Sequence, residues 1–352
     1  MGAQRERSSG EHVQALRRVR RHGAQCVRRL GVARPFPGTH GGMDIDERIR
    51  TFDLDQLHAS VAESHDGEVD RSVPEHADAD SGLFGLAVCD RSGDVRQVGD
   101  TDVTFPIQSA VKPFVYALAL VDAGATHLEE IGVEPTGEAF DAVRLESDTG
   151  RPPNPMVNAG ALLTASLVAG DGPQDRAGRI LAGLSALAGR PLVVDEQVSR
   201  SEHLSGDRNR ALGYLMHSAG TLHVDVEDAI EVYARVCAVS VSAETLAVMG
   251  ATLAFGGRNP VTGDRVLPVE VVRSTLSVMA TCGMYDGSGR WMHRVGMPAK
   301  SGVAGGVVAA APRHLGIGVY SPPLNERGNS VRGVLACERL ADDLGLHAFT
   351  VA

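Results

Sequence analysis

A chain of 352 residues with 43% hydrophobic and 22% charged residues has the make-up of a soluble globular protein, with ample length for a buried core. A net charge of −10 argues against a general binder of nucleic acid or anionic membrane, and no apolar run approaches the roughly 20 residues that span a bilayer. Five cysteines (Cys26, Cys89, Cys237, Cys282, Cys337) are widely spaced with no C-x-x-C, which points to reduced thiols in a cytoplasmic protein, with no disulfide framework and no zinc site.

Residues 1–42 carry nine arginines against two acids and lack an apolar h-region, so they are not a secretory signal. A transit peptide or a nucleic-acid arm shares that composition. The favoured reading is a disordered extension or an upstream start codon, with Met43 opening a single catalytic domain over 43–352. A polar amphipathic helix is expected over 44–66 from Ile49, Leu54, Leu57 and Val61. Phe84–Cys89 and Val95–Val98 read as a hairpin around Asp90-Arg91-Ser92-Gly93-Asp94. After Phe105-Pro106-Ile107-Gln108-Ser109 a helix runs through Ala123, with Pro113 in its first turn and Gly124 as its cap. Helical spacing then recurs over 158–170, 174–189, 207–219, 225–238 and 242–254, within a mainly helical subdomain of about 125–255. Strands return at Gly302–Ala311 and His314–Tyr320, and a helix over 329–344 closes the chain. Strands near both ends with helices between them predict an α+β fold whose antiparallel sheet joins the two ends.

The 34 lysines and arginines include only two lysines, Lys112 and Lys300. Lys112 closes Ser109-Ala110-Val111-Lys112, an S-x-x-K, and Lys300 opens Lys300-Ser301-Gly302. A guanidinium does not lose its proton in a protein, whereas a buried lysine can act as a base. At i, i+3 spacing Ser109 and Lys112 share one helix face, with backbone N–H groups nearby to stabilise an oxyanion. Alone, S-x-x-K is more often a helix cap followed by a solvated lysine. Paired with K-S-G it is a motif of penicillin-recognising serine acyl-transfer enzymes. The third motif of those enzymes, S-D-N or Y-x-N, is absent, because Tyr285-Asp286-Gly287 stands in its place. Asn158, Glu202, Asn209 and Tyr233, taken singly, read as cap, solvated or core residues.

Eight segments in order change that weighing. They are Phe105–Lys112, Asn154-Pro-Met-Val-Asn-Ala-Gly160, Ser201-Glu202, Gly206-Asp-Arg-Asn209, Tyr233-Ala-Arg-Val-Cys237, Met279–Tyr285, Lys300-Ser-Gly-Val303 and Gly328–Gly333. In them the chain resembles the serine-dependent glutaminases of bacterial type, which are related in fold to the β-lactamases. The resemblance implies hydrolysis of L-glutamine to L-glutamate and ammonia through a Ser109 acyl-enzyme, with Lys112 as base and Tyr285 and Lys300 assisting. It implies glutamine binding by Gln108, Ser109, Asn158, Glu202, Asn209, Tyr233, Tyr285 and Val303. It also implies no cofactor, no metal, no nucleic-acid or membrane partner, and a homo-oligomer, commonly a tetramer. Family members carry a tyrosine in a Y-I-P motif where this chain has Ser72-Val73-Pro74, and a serine hydroxyl does not reach as far as a phenol. The alternatives are therefore a glutamine-binding homologue with weak turnover and a penicillin-interactive serine hydrolase.

Overall fold

The computed structural model describes residues 44–124, 130–138 and 142–350. The expected extension over 1–42 lies outside them, as do parts of the segment 125–141. The single helix expected over 44–66 is two, α1 (Ile45–Thr51) and α2 (Leu54–Ala62). Asp53 makes the break: its carboxylate accepts from the Gln56 N–H at 2.9 Å and caps α2. A short helix α3 (Pro74–Ala77) begins on a proline, whose missing N–H is harmless in a first turn. The hairpin β1 (Gly85–Asp90) and β2 (Val95–Gly99) follows as expected. Then come β3 (Phe105–Pro106), a 3-10 turn over Gln108–Val111, and α4 (Lys112–Ala123), which stops at Gly124 with φ +79°.

The middle of the chain holds α5 (Asn158–Leu167), α6 (Pro173–Ala188), β4 (Val193–Val194), α7 (Glu196–Leu204), α8 (Asp207–Ala219), α9 (Val226–Cys237), β5 (Val239–Val241) and α10 (Ala243–Ala254). After it come α11 (Val269–Cys282), a second 3-10 turn at Tyr285–Gly287, α12 (Ser288–Arg294), β6 (Ala299–Ser301), β7 (Gly306–Ala311), β8 (Leu315–Tyr320) and α13 (Val331–Leu344). The strand expected over 302–311 starts later. Gly302–Gly305 is instead a tight turn, with Gly305 at φ +101°, and Lys300 lies in a strand of its own that pairs back on β7.

The main sheet is antiparallel with strand order β2-β1-β8-β7-β6, so its strands come from both ends of the chain as predicted. The period-2 alternation of a strand divides its residues between two cores. Leu86 and Val88 of β1, Val307, Ala309 and Ala311 of β7, and Leu315, Ile317 and Val319 of β8 pack with α1, α2 and α13. The intervening Ala87, Cys89, Val308 and Ala310 face α10 and the helices beyond it. Helices cover both faces, and the result is an α+β fold. On β8 the residues facing α10 include Gly316 and Gly318. A Cβ on Gly316 would lie 2.0 Å from the Ala251 nitrogen, and one on Gly318 would lie 2.0 Å from the Ala243 carbonyl oxygen. The helix therefore rests directly on the strand backbone, closer than any side chain allows. Gly318→Ala has to push α10 off the sheet; we expect a loss of about 3 kcal/mol of stability in urea unfolding. A loss below about 0.5 kcal/mol would contradict this packing.

Candidate active site

Ser109 lies in the 3-10 turn, and the α-helix starts only at Lys112. This shift from the expected helix aligns the pair better, because 3-10 geometry eclipses side chains at i and i+3. The turn is held from two sides. The Ile107 N–H donates to the Val239 carbonyl at 2.8 Å, which ties the turn to β5. On the other side Gly302 closes in: a Cβ there would lie 2.8 Å from the Ile107 carbonyl oxygen and 3.3 Å from the Ala110 nitrogen. The glycine of K-S-G thus lets the end of β6 abut the serine turn. Two non-glycine residues of the site, Gln108 (φ +51°) and Tyr285 (φ +56°), hold left-handed backbone conformations. Each costs roughly 1–3 kcal/mol that the surrounding packing must supply.

Both lysines are buried. Lys112 is 1% exposed, and its Nζ donates to Asn158 Oδ1 at 2.7 Å. That acceptor is neutral, and burial, only partly opposed by Cys237, draws the Lys112 pKa from 10.5 down to about 8. Lys300 is fully buried in β6. Its Nζ donates to the Ser301 carbonyl at 2.7 Å and sits over the Tyr285 ring, 4.0 Å from the centroid. Burial, and next the charge of Lys112, hold the Lys300 pKa well below the usual lysine range. The Tyr285 hydroxyl donates to the same Ser301 carbonyl at 3.0 Å and also hydrogen-bonds with the Ser109 side chain. Desolvation pushes its pKa up to about 12 against the opposing pull of those two bonds, so it stays a protonated phenol at neutral pH. Ser301 is itself held, its Oγ lying 2.5 Å from Asn329 Oδ1.

Asn158, at the start of α5, links this cluster to the helices. Its Oδ1 accepts from Lys112 and, at 3.4 Å, from the Tyr233 hydroxyl of α9, while its Nδ2 donates to Asn209 Oδ1 of α8 at 3.0 Å. Burial raises the Tyr233 pKa, so this phenol too remains protonated. Gln108 belongs to a second group: its Nε2 donates to Glu202 Oε1 of α7 at 2.7 Å. Val303 sits in the turn after β6, one residue beyond Gly302. A cleft opens beside Tyr285, lined by Pro135, Thr136, Met156, Val157 and Cys282 among others. Cys89, Cys237, Cys282 and Cys337 are buried free thiols, each with its pKa raised first of all by burial. Among the described residues no group of three or more His, Cys, Asp or Glu is placed to hold a metal ion.

Sequence reasoning passed over Asp70 and His76. Ser72, where the resemblance implies a tyrosine, is exposed, and its Oγ donates to Asp70 Oδ2 at 2.5 Å. The same carboxylate accepts from Nδ1 of His76, which is 3% exposed and 3.1 Å from Gln108 through its other nitrogen. The available signal was a histidine inside an acidic stretch six residues after an aspartate, which reads as an ordinary exposed loop.

The family model described as Glutaminase matches residues 67–349. The chain belongs to the glutaminase family. It is 58% identical over 313 residues to a glutaminase of Clavibacter michiganensis subsp. michiganensis, covering 89% of this chain and 96% of that one. The crystal structure of Mglu in its glutamate form superposes with a TM-score of 0.81 at 46% identity, over 84% of this chain and 69% of that one. The probable glutaminase ybaS superposes with a TM-score of 0.82 at 39% identity, over 84% and 97% of the two chains. The fold of this glutaminase-family enzyme is thus the β-lactamase-like one that the resemblance implied.

Burial lowers the Lys112 pKa, and the neutral Asn158 acceptor does not counter it with a charge. Asn158→Asp keeps the shape but places an anion where Oδ1 now lies 2.7 Å from Nζ. We expect the acid limb of the pH–rate profile to move up by about 1–3 pH units. An unmoved limb would show that Lys112 ionisation does not control the rate.

Proposed function

We propose that this glutaminase-family enzyme hydrolyses L-glutamine to L-glutamate and ammonia through a covalent acyl-enzyme on Ser109, with Lys112 as general base. The observation that carries this reading is the amine of Lys112, buried on a neutral acceptor one 3-10 turn from Ser109, with a protonated Tyr285 phenol hydrogen-bonded to the same serine. Lys112 takes the serine proton as Oγ bonds the carbon of the substrate side-chain amide. The oxyanion that forms is held by the backbone N–H groups of Ser109 and Val303. Tyr285 gives its proton to the leaving nitrogen, the C–N bond breaks and ammonia departs. The phenolate recovers a proton from the Lys112 ammonium, and Lys300 over the ring orients that hydroxyl. Water then attacks the ester by the same relay, releasing glutamate and restoring Ser109. Glu202 meets the α-ammonium of the substrate, while Asn158, Asn209 and Tyr233 meet its carboxylate.

The same reading places residues 43–352 as one catalytic domain preceded by an extension over 1–42, in a cytoplasmic homotetramer that uses no cofactor. No helix among the described residues is long and apolar enough to cross a membrane.

An ammonia-release assay on wild type and Lys112→Arg tests the base directly, since arginine keeps the charge but cannot accept the proton. We expect the variant to lose about 10³-fold in kcat. The wild-type rate should rise with pH through about 8, because the depressed pKa leaves the amine free only above it. Undiminished turnover in the variant would overturn the mechanism. Calorimetric glutamine binding by wild type with no ammonia release would instead favour a binding protein, as the missing tyrosine at position 72 allows. A stable penicillin adduct on Ser109 would favour a lactam-reactive hydrolase.

A further inference from the structure

The segment that departs from the family's Y-I-P motif is not loose. The Glu68 N–H and carbonyl bond those of Leu324 at 3.0 and 2.8 Å, which anchors its start beside the sheet. Val73 is 3% exposed, and α3 folds back so that the His76 N–H reaches the Val73 carbonyl at 3.0 Å. Glu75 accepts from the Ser201 hydroxyl of α7 at 2.8 Å, which ties α3 to the helix that carries Glu202. These bonds seat a buried imidazole between Asp70 and Gln108.

The hydrogen bonds fix the state of every group in that row. Asp70 Oδ2 faces His76 Nδ1 at 2.9 Å and also accepts from the Ser72 backbone N–H and hydroxyl. Burial alone would raise the Asp70 pKa, but the bonds from His76 and Ser72 outweigh it, so the group is a carboxylate. A carboxylate only accepts, so His76 Nδ1 bears a proton, and the Gln108 amide nitrogen, turned toward the Glu202 carboxylate, only donates, so His76 Nε2 is its acceptor. Gln108 Nε2 lies 3.1 Å from that acceptor and 2.7 Å from Glu202 Oε1. Both hydrogens of the Gln108 amide are thereby used, and its oxygen is turned away from both partners. A flipped amide would set oxygen against the Glu202 carboxylate and against the imidazole lone pair.

We propose that Asp70 and His76 are positioning residues that lock the Gln108 amide with its oxygen toward the substrate, so that Gln108 and Glu202 together select a free α-ammonium group. This rests on the glutaminase reading above, in which Glu202 meets that ammonium. The pair acts on binding and discrimination, and its side-chain hydrogen bonds run to Ser72 and Gln108, not to Ser109 or Lys112.

Asp70→Asn is the decisive variant. The asparagine amide can donate to Nδ1, which moves the imidazole proton to Nε2 and confronts the Gln108 N–H groups with another donor. We expect KM for glutamine to rise about 30-fold with kcat within about threefold and an unchanged urea midpoint. The preference for glutamine over N-acetylglutamine, which has no ammonium, should fall by a similar factor. His76→Leu should show the same KM effect, and His76→Gln, which restores an acceptor near the Nε2 position, should recover most of it. KM values within twofold of wild type in both Asp70→Asn and His76→Leu would overturn the proposal, as would a fall in kcat with KM unchanged. If wild type binds glutamine without releasing ammonia, the mechanism fails but this inference does not. Calorimetry then takes the place of KM, and equal affinity in wild type and Asp70→Asn would overturn it.

Discussion

The site depends on keeping two lysine amines out of water, close enough for the charge of Lys112 to act on Lys300 and, among the described residues, with no carboxylate paired to either. Transfer of an ammonium from water to such a place costs more than one neutral hydrogen bond returns, so the proton itself becomes the loosest part of the arrangement. The unfolded chain holds the Lys112 proton up to about 10.5, whereas the folded protein releases it at about 8. Across that interval the unfolded state binds more protons, so stability rises with pH, and below it the fold carries the cost of a buried ammonium. An amine that sheds its proton at about 8, as the proposed base requires, is thus obtained at the expense of the fold.

The rest of the architecture answers to that cost. Lys300 is set in a strand whose neighbour β7 is buried along its whole length, and Lys112 opens a helix whose first eight residues are buried. Such walls keep water from rehydrating the amines. Gly316 and Gly318 let α10 lie on the sheet without a gap, and Gly302 lets β6 reach the serine turn. The left-handed backbones of Gln108 and Tyr285 sit at the two turns that bring the proposed reacting groups to the seam. Strain of that kind persists only where neighbouring elements over-determine the position. The same rigidity extends outward through Asn158 to α8 and α9, and through Gln108 to α7.

Much of this was legible in the sequence, for physical reasons that can be named. Hydrophobic periodicity located the hairpin, most of the central helices and the two long C-terminal strands, because each presents a regular face to one of two cores. Periodicity missed the break at Asp53, which is a capping event and not a change of face. It also passed over α11, a helix interrupted by polar residues and set between two glycine-rich turns. The lysine of K-S-G was placed ahead of a strand and not inside one, because the turn at Gly302–Gly305 reads as part of an apolar run. Ser109, Lys112, Tyr285 and Lys300 were visible as motifs, since their chemistry is tied to local spacing. Asp70 and His76 were not visible, because their meaning lies in contacts to Gln108 across the fold.

Having only two lysines makes the central claim directly measurable. Protein labelled with 13C at lysine Cε gives two side-chain resonances, and their pH titration reads each amine in the folded enzyme. Burial without a counter-ion predicts that Lys112 titrates at about 8 and that Lys300 also titrates well below the usual lysine range. Two resonances that both titrate near 10.5, the ordinary value for a solvated lysine, would contradict the account.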